Sequence, residues 1–217
     1  VSRVVIAGGH GKIALRLTRL LADRGDTVVG IVRNPDHVDD VRAAGGDAVT
    51  VDLESATVEE VAAVLAGADA TVFAAGAGPG SGVARKDTVD RGASVLLADA
   101  AEAAEVRRYL QISAMGLDRA DDPGMDEVFA VYLRAKAAAD ADVMARAGLD
   151  WTVLRPGGLT DDPGTGLVAL AEHVERGSVT RDDVAAVLAA LLDRPATAGR
   201  VFELVQGDTP IEKALAV

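Results

Sequence analysis

"RVVIAGGHGKIALRL", residues 3–17, changes period in mid-stretch. Residues 3–7 form a β-branched run, whereas from Gly11 onward the apolar positions Ile13, Leu17, Leu20 and Leu21 keep a helical spacing that Gly25 ends. A strand therefore runs through a glycine loop into a helix. Glycines at such a turn let the backbone bend and lie close to a ligand, and the helix start behind them offers N–H groups without intrahelical partners. This is the setting of a dinucleotide-binding loop. The loop reads as G-x-x-G-x-x-A through Gly8, Gly11 and Ala14, or as G-x-G-x-x-A through Gly9, Gly11 and Ala14. His10, Lys12 and Ile13 fall within its span, although His and Lys in a loop are commonly just solvated.

Outward from this unit the alternation repeats. Strand-like runs are "TVVGIV" (27–32), "AVTV" (48–51), "ATVFAA" (70–75), "RYLQIS" (108–113) and "WTVLRP" (151–156). Helical patterns lie between them: 58–67, a long one from Lys86 to about Ala104, and Asp126 to Ala147. A glycine-rich loop is expected over 76–82. Strands apolar on both faces, alternating with helices, predict a doubly wound α/β fold, a parallel sheet of Rossmann type covered on both sides. After Pro156 "GGLTDDPGTG" reads as loop, "VALAEHVERGSVT" is ambiguous, "RDDVAAVLAALLD" (181–193) is a helix and "RVFELV" (200–205) a last strand. Residues 1–217 are expected to be one domain, with 157–217 a short cap and last strand rather than an independent unit.

The balance of 34 acidic against 22 basic residues repels phosphate backbones and anionic lipid, so nucleic acid and membrane surfaces are not expected partners. Any anionic ligand has to be captured locally. No cysteine is present, which removes disulfides, thiolate metal sites and a Cys nucleophile, and the three histidines lack metal-ligand spacing. No bound metal is expected. The start runs into a strand-like segment without a signal-peptide pattern, and no apolar stretch has the length of a membrane span. The chain reads as soluble and cytoplasmic, with a small-molecule substrate and either a monomer or a homodimer.

An NAD site usually shows an acidic residue at the end of the second strand, on the ribose hydroxyls. Here "IVRNPD" puts Arg33 there, which suits a 2′-phosphate and predicts NADP(H). Asp52 and Leu53 fall where an adenine would lie, and Ala74, Ala75 and Gly76 are small enough for a cofactor to approach the backbone. On the helix "AVYLRAKAAAD" (130–140), Tyr132 and Lys136 are four residues apart and share a face. A phenol is a poor base near neutrality until a cation favours its ionised form, and Lys136 is placed to supply that cation and to hold a ribose. The acidic run Asp118, Asp121, Asp122 and Asp126 reads as a solvated loop, Trp151 as strand packing, and Arg155 and Arg181 as either cleft residues or structural ion pairs.

"GGHGKIA", "VRNPD", "VDL", "VDRGASVLLADAA", "QISAMG", "YLRAKAAAD", "DWTVLRPGGLT" and "TRDDVAAVL" follow one another in an order that resembles the atypical short-chain dehydrogenase/reductases, single-domain NAD(P)H-binding proteins related to epimerases and dehydratases. The resemblance covers nearly the whole chain. It implies that Ser113, at the end of the fifth strand, joins Tyr132 and Lys136 as a catalytic set. Where many such proteins carry a helix Asn this chain has Asp90, a departure that alters the usual proton relay. Tyr132 would exchange a proton with a substrate carbonyl or hydroxyl while Ser113 hydrogen-bonds the same oxygen. The expected function is an NADP(H)-dependent oxidoreductase or epimerase-like enzyme; the alternative is a non-catalytic NADP(H)-binding redox sensor or regulator.

Overall fold

A computed structural model of the chain describes residues 2–78 and 85–216. Its first half holds β1 (Arg3–Ala7), α1 (Lys12–Asp23), β2 (Thr27–Val32), α2 (Val38–Ala43), β3 (Asp47–Thr50), α3 (Val58–Leu65) and β4 (Ala70–Phe73). A π-helical segment, Lys86–Gly92, runs into α4 (Ala93–Ala103), followed by β5 (Arg108–Ile112), α5 (Glu127–Met144) and β6 (Asp150–Pro156). The remainder holds β7 (Gly158–Thr160), β8 (Leu167–Ala171), β9 (Ser178–Thr180), α6 (Arg181–Leu192), β10 (Arg200–Gln206), β11 (Thr209–Pro210) and α7 (Ile211–Ala214).

Among the described residues the main sheet has nine strands in the order β11-β8-β10-β6-β5-β4-β1-β2-β3. All neighbours from β10 to β3 pair in parallel, while β8 runs antiparallel to β10 and β11 antiparallel to β8. The sheet is doubly wound. Alternate side chains of one strand feed opposite cores: Val4 and Ile6 pack with Leu17 and Leu21 of α1 and Val184 and Leu188 of α6. Val5 and Ala7 pack with Val61 and Leu65 of α3 and Leu97 and Ala101 of α4. Each Val, Leu or Ile side chain among these contributes about 1.5–3 kcal/mol by leaving water. The winding reverses between β1 and β4, so the loops after these two strands diverge and open a crevice at the carboxyl ends of the sheet.

Several local expectations change. "GGLTDDPGTG", expected as loop, contains β7, which pairs in parallel with β9 in a separate two-stranded sheet. The ambiguous "VALAEHVERGSVT" becomes β8 and β9, and β11 and α7 follow the strand expected to be last. These pieces are two to five residues long, too short to carry a period, and their pairing partners decide them. The helix expected from Lys86 opens with π geometry rather than regular α turns. β4 stops at Phe73, so Ala74 and Ala75 lie beyond the strand. Of the glycine-rich loop expected over 76–82, residues 79–82 lie outside the described residues. Among the described residues no helix is long and apolar enough to cross a membrane.

Candidate functional site

The three loop glycines do different things. Gly8 has φ +79°, and a Cβ there would fall 2.6 Å from the Ala75 Cα. A Cβ on Gly9 would fall 2.6 Å from the Gly30 Cα, so this glycine lets the loop lie against β2. Both N–H groups donate to the Ile31 carbonyl, which ties the loop down. Gly11 is the N-cap of α1 and offers no side-chain cap, and no acid sits in the first turn. The first-turn N–H groups are thus left for an anion, beside the exposed ammonium of Lys12. Ala14 is fully buried behind them, and Ile13 packs on the core.

Two clefts meet at Gly11 and the Ala74–Ala75–Gly76 backbone. The smaller, about 300 Å³, is lined by Gly8, His10, Arg33, Asn34, Asp52 and Leu53 among others. It gathers residues that the sequence placed around an adenine and a ribose phosphate. His10 stacks on His37 with ring centroids 3.6 Å apart and bonds Asp40 at 2.8 Å, so it is fastened rather than merely solvated. Arg33 donates to Glu54 at 2.9 Å, and Arg85 reaches the same carboxylate oxygen at 2.8 Å.

The larger cleft, about 970 Å³, holds Asp90, Ser113, Tyr132 and Lys136 together, with Lys12, Lys86 and Arg181 also on its walls. Ile13, Ile112, Val128, Phe129 and Leu159 make much of its lining apolar. Phe129 stacks on Tyr132 at 5.7 Å, and Lys86 Nζ sits 5.3 Å from the Tyr132 ring. The Lys136 ammonium is buried; it donates to the Ile112 carbonyl at 3.2 Å and lies 3.3 Å from Asp90 Oδ1. That is an ion-pair distance, yet Asp90 Oδ1 has no hydrogen bond of good geometry among the described residues. Its other oxygen accepts from the Ala77 N–H at 3.3 Å. An ammonium has three donors, and even with one on the Ile112 carbonyl and one turned toward Asp90, a donor remains.

Here the chemistry departs from expectation. Burial pushes the Tyr132 phenol well above its ordinary range, and the carboxylates of Asp90 and Asp140 push it further. The expected lowering by Lys136 does not follow: burial outweighs it, and Asp90, 3.3 Å from that ammonium, brings a carboxylate into the same place. Ser113 also differs: its Oγ donates to Asp140 Oδ2 at 2.9 Å, so only its lone pairs remain for a ligand. Asp140 is buried and further held by Gln111 at 3.0 Å and Arg155 at 2.9 Å, and Ser94 bonds Gln111 at 2.7 Å.

This network was missed from sequence, although Asp140 stands four residues beyond Lys136 on the same helix face. Arg155 belongs to it, whereas Arg181 lines the cleft and pairs with Asp161 at 3.0 Å. Of the acidic run, Asp121 pairs with Arg134, Asp122 with Arg119, and Asp126 caps α5 through the Phe129 N–H. Glu54, Arg85 and Thr88 were also missed; 31 residues separate the first two and no spacing joins them.

A glycine loop at the first strand-to-helix turn, an uncapped helix start and a crevice at the switch of strand order together define a dinucleotide-binding protein. A family model described as NAD(P)H-binding matches residues 8–195, and the chain belongs to that family. It is 37% identical to an uncharacterized sugar epimerase of Bacillus subtilis, YhfK, over 98% of both chains. Among solved structures it is similar to a Bacillus halodurans protein described as a candidate NAD-dependent epimerase/dehydratase, with 34% identity, TM-score 0.91 and 99% of each chain covered. It is also similar to the oxidoreductase YlbE of Lactococcus lactis, with 29% identity and TM-score 0.84 over 98% of this chain and 94% of that one.

Gly11 gives a direct test of the loop. Its φ of −58° and ψ of 148° are open to any residue, and an added Cβ would press only lightly on the Gly8 carbonyl oxygen, at 3.2 Å, with the Ala74 carbonyl oxygen at 3.6 Å and the Ala14 Cβ at 3.9 Å in ordinary contact. Gly11→Val should therefore fold, with an unchanged far-UV spectrum. Its branched side chain would crowd the place where a pyrophosphate meets the backbone, at about 1–3 kcal/mol, so NAD(P)H affinity in a fluorescence titration should fall about 10-fold or more.

Proposed function

We propose that this protein is an NADP(H)-dependent oxidoreductase that reduces the carbonyl group of a small, largely apolar compound. The observation that carries the reading is the meeting, in one cleft, of a phenol kept protonated with a buried ammonium and a serine. The N–H groups at the start of α1 would hold the pyrophosphate, Arg33 and Arg85 the 2′-phosphate, and the remaining donor of Lys136 a ribose hydroxyl. The bound nicotinamide supplies hydride to the carbonyl carbon. Tyr132 gives its proton to the carbonyl oxygen and recovers it from water. Ser113, with its proton committed to Asp140, accepts from the hydroxyl so formed. The apolar walls favour a compound with fewer hydroxyls than a sugar, since each buried hydroxyl would need a partner.

A second reading, an NADP(H)-binding redox sensor, is favoured by the pairing of Lys136 with Asp90. The two readings part on turnover. The cofactor half is tested by titrating NADPH and NADH into wild type and Arg33→Ala. A charge-assisted hydrogen bond contributes about 1.5–3 kcal/mol, and exposure of Arg33 reduces this. We expect Arg33→Ala to weaken NADPH about 5- to 30-fold and leave NADH unchanged; equal ratios in both proteins would remove the NADP assignment. The reaction half is tested by a turnover screen of aldehydes, ketones and quinones with NADPH.

A further inference from the structure

Glu54 sits in the smaller cleft with three donors on one carboxylate. Oε2 accepts from Arg33 Nη1 at 2.9 Å and Arg85 Nη2 at 2.8 Å, and Oε1 accepts from Thr88 Oγ1 at 2.7 Å. Arg33 comes from the end of β2, whereas Arg85 and Thr88 come from the start of the π-helical segment, so the carboxylate ties together two distant parts of the chain. Two guanidiniums brought this close without it would repel each other. Arg85 and Thr88, then Arg33, hold its carboxyl below the usual carboxylate range, so it is an anion at neutral pH.

We propose that Glu54 is the specificity-determining residue of the dinucleotide site, an internal anion that occupies the place of a 2′-phosphate and competes with it. The inference rests on the reading that this cleft receives the adenosine ribose. Two guanidiniums and a hydroxyl converging on one oxygen pair are the donors a phosphomonoester uses. A phosphorylated ribose has to displace Glu54 to reach them. An unphosphorylated ribose does the opposite: its hydroxyls are donors, and Glu54 is the acceptor on hand. Selectivity is the difference between these two affinities, and Glu54 acts on both with opposite sign. It narrows a preference that Arg33 and Arg85 create.

The test is a set of titrations of wild type, Arg33→Ala, Glu54→Gln and Glu54→Ala with 2′,5′-ADP, 5′-AMP, NADPH and NADH. Removing a competing, partly exposed anion should tighten 2′,5′-ADP and NADPH about 3- to 10-fold in both Glu54 variants, the range of one or two exposed ion pairs. Binding of 5′-AMP and NADH should stay equal or weaken, so the NADPH to NADH preference rises. An unchanged preference, or a lower one because the arginines splay apart, overturns the proposal. If wild type prefers NADPH and Arg33→Ala removes that preference while the Glu54 variants leave it untouched, only the role of Glu54 fails. If wild type shows no preference and Arg33→Ala changes nothing, the NADP reading fails and takes this inference with it.

Discussion

Tyr132→Phe is expected to lower kcat by about 10²-fold or more while dinucleotide affinity stays within about 2-fold, the result of losing a general acid that contacts only the reacting oxygen. The substitution removes one oxygen and keeps the ring, so the Phe129 stacking can persist. The pH profile adds a second reading. Because burial and two carboxylates raise the phenol's pKa, Tyr132 holds its proton throughout the neutral and mildly alkaline range. A group that acts as an acid is competent below its folded pKa and lost above it. Reduction should therefore show no alkaline decline attributable to Tyr132 up to about pH 9.5. Turnover that survives Tyr132→Phe undiminished would move the proton to another donor; Lys86, 5.3 Å from the same ring, is one candidate.

The second large effect is on stability. Asp140→Ala removes the acceptor shared by Ser113, Gln111 and Arg155. Breaking a buried charge network costs about 3–5 kcal/mol. The guanidinium of Arg155 keeps some exposure, which points to the lower end, about 3 kcal/mol. For a chain of this length that is a fall in Tm of roughly 6–12 °C. Asp140→Asn keeps the shape and one acceptor, and should lose less. In that variant kcat should fall more than KM rises, because Ser113 regains freedom to turn its proton toward the cleft. A Tm unchanged in Asp140→Ala would mean the network contributes little to folding.

Sequence made the glycine loop legible because its geometry is local. Gly8, Gly9, Gly11 and Ala14 all lie within one turn, and each type follows from what the backbone must do there. Tyr132 and Lys136 were legible for the same reason, through a helical spacing. Asp140 stood in the same quoted stretch and was passed over, since an Asp at i+4 from a Lys resembles a surface pair until Ser113 and Arg155 are seen beneath it. The sign of the Tyr132 shift was not legible at all. It depends first on how deeply the fold buries the ring, and then on the Asp90 and Asp140 carboxylates brought beside it. In the C-terminal part, β7, β8 and β9 take their register from β9, β10 and β7, so their own residues carry little of it.

The π-helical segment Lys86–Gly92 couples the two ends of the cleft like a gear. Its C-cap N–H, on Ala93, reaches back five residues to the Thr88 carbonyl, one more than an α turn allows. Arg85 and Thr88, on Glu54, ride on the same short piece as Asp90, against Lys136. Deleting one residue near its end would restore α geometry and swing all of them by about 100° relative to α4. Substitutions can retune cofactor choice and proton chemistry one at a time, but a change of length here would alter both together, which ties the segment's length to the working of the whole crevice.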